Sequence, residues 1–105
     1  MQDLDTLIAF IAEHFRFDAD TYPELAGQNA EQRLRFAVRH SALHFAKTAG
    51  KIAAVSEDSD HGEELDLEEL RRHVPKALIN TLRLAELVHL SGDDLVRAIR
   101  ENYQT

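Results

Sequence analysis

HSALHFAKTAGK, residues 40–51, is the stretch on which the fold turns. At helical spacing His40, His44, Lys47 and Lys51 fall at i, i+4, i+7 and i+11, along one face of one helix. Val38, Ala42, Phe45, Ala49, Ile52 and Val55 recur at threes and fours on another face, an apolar stripe that requires a packing partner. The spacing therefore predicts a long amphipathic helix with one face for the core and another that is either a site or a solvated surface. Just upstream, Asn29 with Gln32 three residues later has the form of a capping box, so this helix is expected to start there and run to about Val55. Gly50 inside it costs about 1 kcal/mol relative to alanine and marks a place where something is expected to approach closely.

Before that helix, FDADTYPELAGQN reads as a loop, broken by Pro23 and Gly27, with Phe17 and Tyr22 expected to pin it to the core. Its length makes it a candidate lid or partner-binding segment. A first helix is predicted from about Asp3 to Phe15, with Leu4, Leu7, Ile8, Ile11 and Phe15 inward and His14 on the rim. Downstream, SEDSDHGEEL forms the turn, and Asp66 with Glu69 caps a helix carrying Leu67, Leu70, Val74, Ala77, Leu78, Thr81, Leu84, Ala85 and Val88 at core spacing. Pro75 predicts a kink near His73 or a separate short helix before it. On the polar side of this helix stand His73, Lys76, Asn80 and Arg83. Ser91 with Asp94 caps a last helix bearing Leu95, Val96 and Ile99.

Four helices and no strand signal make the chain all-α, most economically an antiparallel four-helix bundle in a single domain spanning 1–105. Two of the helices exceed twenty residues while the outer two are short. Apolar length is then left uncovered, and completion by homodimerisation or a higher homo-oligomer is expected.

The 105 residues include no cysteine, which excludes disulfides, thiolate metal sites and a cysteine nucleophile. The formal charge of −7 is local: residues 57–69 hold Glu57, Asp58, Asp60, Glu63, Glu64, Asp66, Glu68 and Glu69, and the rest of the chain carries eleven acids against twelve bases. That balance argues against a nucleic-acid binder. The acidic run suits a solvated loop entering a helix N-terminus. MQDLDTLIAFIAEHF lacks a basic region and a small-residue cleavage site, and no apolar run is long enough for a membrane span, so a cytoplasmic location is expected.

His40 and His44 form an H-x-x-x-H pair, to which Asp60, His61 or His73 would add a third ligand for a transition metal; two such histidines more often sit on a polar rim. Ser56, Asp58, Asp60 and His61 contain the residue types of a hydrolytic triad but are crowded into one turn. The four glycines, at 27, 50, 62 and 92, form no phosphate-binding loop.

ALINTLRLAELVHLSGDDLVRAIRENY, residues 77–103, resembles the third helix, short turn and last helix of the all-α MazG-type nucleotide pyrophosphohydrolases, and HFAKTAGKIA, residues 44–53, resembles the part of their second helix that carries the first metal motif. The two stretches cover somewhat more than a third of the chain. The resemblance implies a MazG-like fold and hydrolysis of nucleoside triphosphates to a monophosphate and pyrophosphate, with magnesium held by Glu-x-x-Glu and Glu-x-x-Asp. Laid on this chain, the first motif falls on Thr48 and Lys51 and the second on His73 and Lys76, so none of the four carboxylates is present. Glu63 and Asp66 do read Glu-x-x-Asp, but ahead of the helical core pattern. Lysines where a dication belongs would repel it. The expectation is a MazG-like protein degenerate at its metal site, needing no cofactor and acting as a nucleotide- or phosphate-binding or assembly protein. His44, Lys47, Lys51, Lys76, Asn80 and Arg83 would bind the phosphate directly, or else the cations pair with the acidic run. The alternative is an active magnesium-dependent pyrophosphohydrolase with a rearranged acidic site recruiting Glu57, Asp60, Glu63 or Asp66.

Overall fold

The computed structural model describes residues 3–103. Helix α1 spans Leu4–His14 and opens on Asp3, whose carboxylate accepts the Thr6 N–H at 2.8 Å. Helix α2, Ala30–Asp60, starts in the expected capping box: the Asn29 side chain accepts from Gln32 N–H, and the Gln32 side chain accepts from Asn29 N–H. It continues beyond Val55 to Asp60, is capped by His61 and is followed by Gly62, whose φ of +97 favours a residue without a side chain. Helix α3, Leu67–Leu87, is capped by Asp66, and α4, Gly92–Asn102, by a reciprocal Ser91–Asp94 box. Between α1 and α2 lies a single 3-10 turn, Pro23–Leu25, that buries Leu25 completely. Among the described residues there is no strand, and no helix is long and apolar enough to cross a membrane.

α2 packs along α3, α1 packs on α3, and α4 packs on α1. The pairing of α2 with α3 is antiparallel, since Val55 shares a cleft with His73 while Phe45 shares one with Leu84 and Val88. Ile8, Ile11 and Leu82 form the buried apolar centre, with Leu4, Leu7, Phe15, Ile79 and Leu95 against it. α4 is fastened to α1 through the Gly92 N–H, which donates to Asp5 Oδ1 at 2.7 Å. A methyl at Gly92 would meet Asp5 Oδ1 and Leu4 Cβ at 3.1 Å.

Three expectations are corrected. α3 runs through Pro75 as one helix, so the separate short helix before it does not form. Nothing lies within 4 Å of a methyl built at Gly50. Most consequentially, the apolar stripe of α2 is only partly covered: the buried positions are Ala37, Ser41, Thr48 and Val55, so that of the stripe Val55 is buried and Ile52 half-buried, while Phe45 meets Thr81, Leu84 and Val88 of α3 across an open cleft. Leu34, Val38, Ala42, Phe45 and Ala49 are left exposed. On α3, Leu67, Val74, Leu78 and Val88 are exposed as well, and the cleft shared by Phe45 and Val88 places the two stripes on one side of the hairpin. The radius of gyration is 16.6 Å, against about 13 Å for a compact domain of this length.

Candidate functional site

The side chains buried between α2 and α3 are largely polar. Ser41 and Thr48 come from α2, and His73 and Asn80 from α3, because residues 41 and 48 and residues 73 and 80 return to the same side of their helices; Arg83, also buried on α3, lies against Phe15 and Phe17. Asn80 Nδ2 donates to the Lys76 carbonyl at 3.0 Å. His73 Nε2 lies 3.0 Å from Glu69 Oε2, and Arg72 pairs with the other Glu69 oxygen at the same distance. Among the described residues His73 Nδ1 and the Ser41 hydroxyl have no hydrogen-bond partner.

At the open end of this seam a cleft of about 480 Å³ is lined by Lys51, Val55, Asp58, Glu63, Glu69 and His73, among others. It brings Lys51 beside the acidic run, whose ion pairs among the described residues are those of Glu69 with Arg72 and His73 and of Glu57 with His61. The run itself is divided: Glu57, Asp58 and Asp60 occupy the last turn of α2, where they oppose the helix dipole, and Glu68 and Glu69 the first turn of α3, where they complement it.

A second cluster fixes the α1–α2 loop. Phe17 and Tyr22 stack at 5.6 Å and both pack against Phe36 and His40, as the sequence leads one to expect. The Tyr22 hydroxyl is hydrogen-bonded to His40 Nε2 at 3.1 Å, and the His44 ring stands 4.4 Å from the His40 ring. Burial pushes the His40 pKa below its ordinary value, helped by the nearby His44 and Arg83 and opposed by Glu24.

Of the residues expected to bind phosphate, His44, Lys47, Lys51 and Lys76 are exposed, Asn80 is turned to its own helix, and Arg83 is buried under the loop. The Lys51 cleft and the Arg83 cleft are separate, and neither holds Lys47 or Lys76. The aromatic setting of Arg83, made by Phe15 and Phe17, escapes a reading by helical spacing because it depends on how the loop after α1 folds back.

The positions on which the family's magnesium motifs fall do not fit that ion. Thr48 and His73 are buried in the seam, Lys51 and Lys76 are cationic, and Glu69, the carboxylate at His73, is already shared between His73 and Arg72. Among the described residues no three His, Asp or Glu side chains stand so as to hold a metal ion, and the set of His40, His44, Glu57, Asp60, His61, Glu63 and Asp66 is not gathered into one. Compared with known families, curated proteins and solved structures, the chain matches none.

Proposed function

We propose that the chain is a MazG-like helical protein, degenerate at the family's metal site, whose function rests on assembly of identical copies through the α2–α3 hairpin. The observation that carries this reading is the uncovered apolar stripe: Val74 and Val88 are 56% and 58% exposed and Phe45 40%. Positions 34, 38, 42, 45, 49 and 52 on α2 include no charge, and the matching α3 stripe includes one, Arg71. A contiguous apolar surface of this kind on an isolated chain is an interaction surface. A second hairpin laid on it by a two-fold axis completes a four-helix bundle, each copy presenting the same self-complementary face. Kinship with the MazG family rests on the order and length of the helices and on residues 44–53 and 77–103.

Sedimentation or light scattering tests the assembly. The wild-type chain is expected at twice its 11.9 kDa mass, and Val74→Glu and Phe45→Glu at the monomer mass with helicity retained. A wild-type monomer at micromolar and higher concentration overturns it. Pyrophosphate release from nucleoside triphosphates with magnesium, abolished by Asp60→Ala or Glu63→Ala, would instead establish the rearranged-site enzyme.

A further inference from the structure

Arg83 is a buried cation without a carboxylate. It is 8% exposed, yet among the described residues no acid lies within the 4.0 Å of an ion pair with it. Its Nη2 donates to the Phe15 carbonyl at 3.3 Å, its Cζ lies 4.1 Å from the Phe17 ring centroid and 5.4 Å from that of Phe15, and its Nε has no acceptor. One carbonyl and two π-faces offset part of the cost of taking a guanidinium out of water. A buried full charge ordinarily has an anion beside it as well.

The side chain lines a cleft of about 420 Å³ between the end of α1, the start of the loop and the last turns of α3. Ala12, Phe15, Phe17 and Leu87 give it apolar walls, and Arg16, already paired with Glu13, stands at its edge. Two acids also line it. The Asp18 carboxylate accepts the Thr21 N–H at 2.9 Å, and Glu86 forms no ion pair with Arg83. A guanidinium presents planar N–H donors suited to carboxylate and phosphate oxygens, and the flanking rings suit a flat apolar group.

We propose that this cleft binds an oxyanion, carboxylate or phosphate, carried on an apolar body, with Arg83 as its charge partner and Phe15 and Phe17 as its wall. The site lies outside the assembly face and stands whether or not the chain dimerises.

Titration of the isotope-labelled full-length chain with inorganic phosphate, phenyl phosphate, acetate and benzoate, followed by amide and Arg83 Nε–Hε resonances, tests it. Saturable shifts are expected at Ala12, Phe17, Leu87 and Arg83, with the aromatic member of each pair binding more tightly. The stronger pair identifies the head group. Arg83→Lys is expected to weaken binding about tenfold by removing the planar fork. Because Arg83 also holds the Phe15 carbonyl, Glu86→Gln serves as a variant that leaves those contacts intact; removing a like charge from the cleft is expected to tighten binding about threefold or more. No saturable shift with any probe on the order of 10 mM overturns the proposal, as do shifts that map to Lys47, Lys51 and Lys76 instead, or a Glu86→Gln protein with unchanged affinity. Light scattering on the same samples reads the assembly state separately.

Discussion

His40 joins two parts of the chain and does so as a neutral ring. It meets Tyr22 and Phe17 from the loop and Phe36 and His44 from its own helix, and feels Arg83 of α3 and Glu24 of the loop. Burial first, then the neighbouring His44 and Arg83, disfavour its protonated form, so its folded pKa lies below the value of about 6.5 it has in the unfolded chain. The unfolded chain then binds the proton more readily. The stabilisation is complete above about pH 6.5 and is lost as pH falls through the folded pKa. Urea midpoints measured from pH 8 to pH 5 are expected to drop over this window, and His40→Gln is expected to flatten that drop. A variant as steep as wild type would move the effect to another group. The carboxylates of Asp3, Asp18 and Asp94 are held below the ordinary range, each chiefly by a backbone N–H, and their contributions fade only in more acid solution.

At the scale of elements, two glycines have opposite predictions. Gly50 faces open space in the middle of α2, so Gly50→Ala is expected to stabilise the chain by about 1 kcal/mol. Gly92 begins α4 against α1, where a methyl meets Leu4 and Asp5; Gly92→Ala is expected to destabilise by about 1–3 kcal/mol, with both changes read from urea unfolding. The helix starts are legible in the sequence because caps are local chemistry: Asp3, Asn29, Asp66 and Ser91 each act within three residues of themselves. The loop's aromatic anchors, Phe17 and Tyr22, are legible for a similar reason. Which stripe of α2 faces α3 is not, since periodicity names an apolar face without naming its occupant. The buried face holds Ser41 and Thr48, and most of the apolar stripe stayed exposed. Arg83 shows the same limit at a site, because its place on the polar side of α3 gives no hint of the loop that covers it.

For the whole molecule, 51 Å long and 26 Å thin, stability and association are linked. If copies share the α2–α3 face, unfolding of the dimer depends on total chain concentration, and each tenfold dilution is expected to lower the unfolding free energy by about 1.4 kcal/mol. Denaturation midpoints at several concentrations check this, with Val74→Glu expected to show none of the dependence. The bond between the Gly92 N–H and Asp5 has another consequence, one of time. α2 and α3 are joined by a short turn and find each other with little loss of chain entropy, whereas α1 meets α4 only after 87 residues are brought round. The hairpin is therefore expected to form first and the α1–α4 clasp last. In native-state hydrogen exchange the order reverses: amides of α4 are expected to open at lower free energy than those at the centres of α2 and α3, so that the end of the chain unlatches many times before the hairpin comes apart once.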